Sequence, residues 1–156
     1  MIAFSLSRLE KEDIRLEGSE PPEFIVLTGA EPFTVTSDVS YALDISKVSG
    51  GALVSGDAHV TITGECGRCL AEVSREVRAE DFQLFVEIAP HTEICDISED
   101  VRTEITLALP MNLLCRDDCR GLCPVCGADL NREKCSCAPQ SAQGSGVWSA
   151  LDDLKL

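Results

Sequence analysis

The sequence predicts a mainly β fold, in the β-rich part of the α+β class: an antiparallel sheet or partly open barrel that carries one or two helices and ends in a cysteine-rich segment. Three observations predict it. Apolar residues alternate with polar ones through most of residues 33–88, one stretch near 97–109 switches to helical spacing, and six of the nine cysteines fall within residues 115–137.

Residues 1–22 are charged and close on GSEPP, which reads as an irregular or edge segment leading into the fold. From Glu23 the texture is that of strands. Phe24, Ile25, Val26 and Leu27 form a short apolar run; Phe33, Val35, Val39, Tyr41, Leu43 and Ile45 then take alternate positions, interrupted only at Ser37. That is one long strand, or two strands around a bend. Ser49, Gly50 and Gly51 supply the next turn. After it, Ala58, Val60 and Ile62 point one way and His59, Thr61 and Thr63 the other. Ala71, Val73 and Val77 keep the period of two, and Phe82, Leu84, Val86 and Ile88 repeat it. Leu70, Val73 and Val77 would also make a helical stripe, but the flanking alternation and the short turns of antiparallel neighbours favour a strand.

In DISEDVRTEITLALP, Ile97, Val101, Ile105, Ala108 and Leu109 fall at helical spacing, with Asp96 or Ser98 available as N-cap and Pro110 as the stop. The expected organisation is therefore an antiparallel β domain over 1–110, covered by a helix at about 96–109, then a cysteine-rich segment over 111–137. A loose linker over 138–146 and a docked helix over 147–156, with Val147, Trp148, Leu151 and Leu154 on one face, complete it.

Composition bounds the function. With one Trp, one Tyr and five Phe, the core must be mostly Val, Leu, Ile and Ala. The apolar run Ile2 to Leu6 is too short for a signal peptide or a membrane span, so a cytosolic protein without membrane partners is expected. The formal charge is −14, from 27 acidic and 13 basic residues. Phosphate backbones repel such a chain overall, so a nucleic-acid role would be local, indirect or through a basic partner.

The cysteines are Cys66, Cys69, Cys95, Cys115, Cys119, Cys123, Cys126, Cys135 and Cys137. In a reducing compartment such spacings point to metal or catalysis sooner than to disulfides, and an odd number would leave one thiol over. Cys123-Pro-Val-Cys126-Gly127 is the strongest element: the turn aims both sulfurs at one point, and Gly127 can take the positive φ it needs. Cys135 and Cys137 complete a local four-thiolate, zinc-ribbon-like site. Cys115 with Cys119, and Cys66 with Cys69, are then two pairs that can close a second site together. Cys95 remains as a small buried hydrophobe before the helix. Two structural zinc ions would take the net charge to about −18, since eight thiolates outweigh two divalent ions.

Other chemistries fit parts of the pattern. Four thiolates can hold an iron–sulfur cluster, a disulfide framework would need an oxidising compartment, and Cys66-Gly-Arg-Cys69 has the form of a thioredoxin-like redox motif. That motif requires a strand before it and a helix after it in a βαβ pattern. His59 and His91 are solitary and read as exposed. No phosphate loop, nucleophile elbow or zinc-protease helix motif is present, so an enzyme is not expected. Arg116, Arg120, Arg132 and Lys134 make a small basic spot, the candidate contact for RNA or a partner.

GECGRCL (64–70), ITLALPMNLLC (105–115), CRGLCPVCGADLN (119–131), CSC (135–137) and the closing VWSALDDLKL together resemble the YceD family, the bacterial large ribosomal RNA subunit accumulation proteins. The resemblance implies a non-enzymatic, cytosolic ribosome-biogenesis factor supporting accumulation or processing of large-subunit ribosomal RNA. Its partner would be that RNA's precursor or a basic large-subunit ribosomal protein, with no small-molecule substrate and no catalytic residues to carry over. Two alternatives remain: a thiol–disulfide or redox-sensing protein using Cys66 and Cys69, and a zinc-stabilised protein-binding module unrelated to ribosomes.

Overall fold

A computed structural model of the chain describes residues 1–89 and 92–137; His91, the expected linker over 138–146 and the expected helix over 147–156 lie outside the described residues. Contacts divide the chain into two units, residues 1–119 and residues 120–156, and each is described by itself.

The first unit is strand-rich, a curled antiparallel sheet forming a half-barrel, as the alternating texture predicts. The charged N-terminal segment is more ordered than expected. It forms β1 (Ala3–Ser5), the single-turn α1 (Leu6–Leu9) and β2 (Ile14–Glu20), the last an edge strand on β4 (Val39–Val48). Phe24 to Leu27, by contrast, is not a strand. Pro22–Phe24 is a 3-10 turn, because Pro21 and Pro22 cannot donate to a ladder, and Phe24 and Ile25 reach the core from it.

The alternating run around Ser37 is two strands around a bend. β3 (Phe33–Val35) and β4 pair in turn with the same edge of β5 (Gly51–Glu65), at 62–64 and 51–59. Between them the Ser37 hydroxyl accepts the Thr61 N–H at 2.8 Å, standing in for the missing ladder partner. On its other edge β5 pairs with β6 (Glu72–Glu87), so the ambiguous segment after Cys69 is strand. Gly50, at φ 88°, turns the β4–β5 hairpin.

Ala58, Val60 and Ile62 are buried and His59 is exposed, as their alternation requires. Along β6 the buried parity changes from Val77 and Ala79 to Phe82. One extra β6 residue lies between the pairs Gly56↔Phe82 and Ala58↔Ala79, and the Asp57 carboxylate accepts the Asp81 N–H there at 2.8 Å.

α2 (Ser98–Ala108) buries Val101 and Ile105 and lies against β6 and β5. Neither Asp96 nor Ser98 occupies the N-cap, which is Ile97. Asp96 instead accepts the Ser98 N–H at 2.9 Å, and the Ser98 hydroxyl accepts the Ile2 N–H at 2.8 Å. The helix start is thereby fixed to β1, which pairs with β7 (Ile94–Asp96). Cys95, on β7, is buried in the core. Arg102, the one basic residue of α2, turns inward: its Nε donates to the Phe24 carbonyl at 2.6 Å and its guanidinium sits 4.8 Å from the ring centroid. Among the described residues no helix is long and apolar enough to cross a membrane.

Candidate metal centres

The turn of the longest hairpin is the first knuckle. After the last register pair, Glu65↔Glu72, Cys66 donates its N–H to the Ala71 carbonyl at 2.8 Å and accepts the Leu70 N–H on its own carbonyl at 2.9 Å. A strand, not a helix, follows, so Cys66-Gly-Arg-Cys69 lacks the setting of a thioredoxin-like motif. Gly67 donates to the Leu113 carbonyl at 2.8 Å, which draws the chain after α2 onto the knuckle.

That contact brings Cys115 and Cys119 to Cys66 and Cys69. The Cys66 and Cys119 sulfurs are 3.9 Å apart and those of Cys69 and Cys115 3.7 Å. Arg68, a residue the motif reading passed over, reinforces the closure by donating to the Asp117 and Cys119 carbonyls at 3.1 and 2.9 Å. Only its position inside the knuckle could have signalled it.

The second unit repeats the knuckle with the same hydrogen bonds. Cys123 donates to the Ala128 carbonyl at 2.8 Å, and Gly127 donates to the Cys123 carbonyl at 2.9 Å. Gly127 takes φ 74°, the role its sequence position predicts; at the equivalent place in the first knuckle Leu70 takes φ 59°. Asn131 closes the loop toward Cys135 and Cys137. Its side-chain oxygen accepts the Arg120 N–H at 2.8 Å, while its own N–H and amide donate to the Asp129 carboxylate at 2.9 and 2.8 Å. The ADLN passage thus holds the ligand loop, a role legible only once the loop is seen.

In each group of four, Cys66, Cys69, Cys115, Cys119 and Cys123, Cys126, Cys135, Cys137, all sulfurs lie within 4.8 Å of one another, and either group could hold a metal ion. The spacing suits one ion: with metal–sulfur bonds of about 2.3 Å, a tetrahedron has an edge of about 3.8 Å. It is nearly twice the disulfide length of about 2.05 Å, and all nine cysteines are free thiols. A multi-iron cluster would hold its thiolates further apart.

The electrostatics point the same way. Main-chain N–H groups of Cys115, then Arg68 and Cys69, face the Cys66 sulfur and lower its pKa to about 6; those of Cys126 and Val125 do the same for Cys123. The next thiols resist ionising beside that charge. Hydrogen bonding with Cys119, then burial, pushes Cys115 up to about 12, and Cys126 with burial does so for Cys137. Four thiolates in one place therefore require a cation among them.

Two of the four basic residues singled out in the sequence have acidic neighbours. Arg116 pairs with Asp118 at 3.2 Å and Arg132 with Asp129 at 3.4 Å, while Arg120 and Lys134 are exposed.

The profile of the family described as "Large ribosomal RNA subunit accumulation protein YceD" matches residues 54–155, a span that contains both groups of four cysteines. Uncharacterized proteins of Mycobacterium tuberculosis and Mycobacterium bovis are each 33% identical over 105 residues, 58% of this chain and 51% of theirs. A maize (Zea mays) protein named large ribosomal RNA subunit accumulation protein YCED homolog 1, chloroplastic, is 42% identical over 50 residues, 31% of this chain and 17% of its own. The chain spans about half the length of the mycobacterial relatives and less of the plant one. No solved structure matches it significantly. With the family profile covering well over half of its residues, the chain belongs to the YceD family of large ribosomal RNA subunit accumulation proteins.

Proposed function

We propose that the protein is a non-enzymatic cytosolic factor that supports accumulation or processing of large-subunit ribosomal RNA, and that two structural zinc ions fix its working shape. One observation carries the reading: the family match spans the two groups of four cysteines, so the family's named role and the metal-ready scaffold occupy the same residues. Zinc is the ion of choice because four thiolates at tetrahedral spacing suit a soft-tolerant, redox-inert d10 cation. Cys66, Cys69, Cys115 and Cys119 ligate one ion and Cys123, Cys126, Cys135 and Cys137 the other. The direct partner is the RNA precursor or a basic large-subunit ribosomal protein, with Arg116, Arg120, Arg132 and Lys134 as the candidate contacts for RNA.

The test has two arms. Metal analysis with a thiol count is expected to give about two zinc per chain and, after denaturation with a chelator and no reductant, nine reactive thiols, where a disulfide framework would leave fewer. Depleting the protein is expected to lower mature large-subunit RNA relative to small-subunit RNA, with the protein sedimenting among large-subunit precursors; absence from every ribosomal fraction, with unchanged RNA, would falsify the role. A thiol–disulfide function would instead leave Cys66→Ser folded and metal-independent.

A further inference from the structure

Four pairs of cysteines can be grouped two pairs to an ion in more than one way, and chain length favours a grouping other than the one observed. Cys115 and Cys119 stand four to eleven positions before Cys123 and Cys126, but 46 to 53 positions after Cys66 and Cys69. Closing a flexible loop becomes harder as about the 3/2 power of its length, so on length alone the two neighbouring pairs would share an ion about tenfold more readily. Such an ion would leave the turn at Cys66 and Cys69 unclosed. Contacts other than sulfur to sulfur must therefore commit Cys115 and Cys119 to the distant pair.

Two such contacts join the first knuckle to the segment after α2. The Gly67 N–H donates to the carbonyl of Leu113, which is fully buried, so the segment is anchored two residues before Cys115. Beyond that point the hold passes to Arg68, whose Nη1 donates to the carbonyls of Asp117 at 3.1 Å and Cys119 at 2.9 Å. These carbonyls belong to the turn that carries the two sulfurs, closed by the Cys119 N–H on the Arg116 carbonyl at 3.1 Å. The corresponding place in the second knuckle holds Val125, 51% exposed, whose side chain has no donor. There the ligand pair is local and Asn131 ties its loop. An arginine thus stands in the knuckle whose ligands come from far along the chain.

The structure assigns Arg68 the part of a positioning residue that decides which cysteine pairs share an ion. By holding the Asp117 and Cys119 carbonyls it commits Cys115 and Cys119 to Cys66 and Cys69 and withholds them from Cys123 and Cys126. The assignment rests on the metal reading proposed above and concerns the first group of four.

The test refolds the full metal-free chain with one equivalent of zinc, alkylates the accessible thiols, and fragments single molecules by mass spectrometry to see which four of the eight cysteines were protected together. The parent is expected to protect the first group or the second, with few molecules protecting Cys115, Cys119, Cys123 and Cys126. Arg68→Ala is expected to raise that mixed set about tenfold, the weight of two hydrogen bonds from a charged donor. Arg68→Lys is expected to restore the parent pattern, since an ammonium can donate to the same two carbonyls. A side chain that only stabilised the fold would lower the unfolding midpoint without changing the protected sets. An unchanged mixed fraction in Arg68→Ala, loss of the first group with no gain in the mixed set, or failure of Arg68→Lys to restore the pattern overturns the inference. Zinc content and thiol count of the parent are read separately, so the metal reading can stand while this assignment falls; a parent that protects no set of four overturns both.

Discussion

Cys115 and Cys126 are a matched pair for asking what each group of sulfurs contributes, because both are exposed and Cys→Ser at either leaves the core untouched. Their groups differ in the chain they close. Cys69 and Cys115 are 46 residues apart, whereas Cys126 and Cys135 are separated by only nine. An ion bridging each pair restricts the unfolded chain as a crosslink does. The loop-closure relation gives about 4 kcal/mol for the long loop and about 2.6 kcal/mol for the short one, a gap of about tenfold in the folding constant. Cys115→Ser is therefore expected to destabilise residues 1–119 by about 4 kcal/mol, with β5 and β6 losing most of their amide protection. Cys126→Ser is expected to leave the sheet's protection unchanged. Hydrogen exchange followed by mass spectrometry on the full metal-loaded chain reads both. Equal loss of sheet protection in the two variants would refute the reasoning, as would a Cys115→Ser chain whose sheet is as protected as before.

Leu70→Gly alone is expected to raise stability by about 0.5–1 kcal/mol, and Gly127→Ala, whose added Cβ meets nothing within 4 Å, to lower it by about 1 kcal/mol through backbone strain, both read as urea midpoints. Asn131→Ala is expected to weaken metal retention in the second group by about tenfold or more while sparing the first, measured by chelator competition. In the metal-free protein, Cys66 and Cys123 lie at about 6 against an ordinary 9, so the stability they contribute is complete above pH 9 and lost as pH falls through 6. Cys115 and Cys137, raised to about 12, contribute below pH 9 and lose that contribution as pH rises toward 12. The contribution of these four thiols to the metal-free chain should thus rise from pH 6 to pH 9 and fall above it, read as the difference in urea midpoint between the parent and a variant with all four changed to Ser; a difference that shrinks steadily from pH 6 to pH 9 would contradict this.

The sheet was legible because the period of two is imposed by burial of one face: Ala58, Val60 and Ile62 announce their side whatever the turns do. The division of eight sulfurs into two groups was also open to reading, since neither Cys66 with Cys69 nor Cys115 with Cys119 can close a tetrahedron alone. Other features depend on contacts too distant in sequence to see. The N-terminal strands are ordered by β4 and by Ser98, more than ninety residues from Ile2, so their charged residues gave no strand signal. Phe24 and Ile25 are apolar because they are buried, which a 3-10 turn achieves as well as a strand does. The bulge at Asp81 did leave a trace, the change of apolar parity between Val77 and Phe82, but a parity change alone does not say which strand holds the extra residue. Leu70 is the opposite case: a leucine where the second knuckle has glycine reads from sequence as part of an apolar stripe, and only its φ reveals the exception.

The hairpin turn at Cys66 and Cys69 has a further consequence in the order of synthesis. β5, the knuckle, β6 and α2 are all made before Cys119 exists, so a nascent chain carries half a ligand set that waits for residues 46 to 53 positions downstream. With the proposed ion bound, capture at this turn would report completion: a chain stopped before Cys115 would carry Cys66 and Cys69 without the two sulfurs that complete their group.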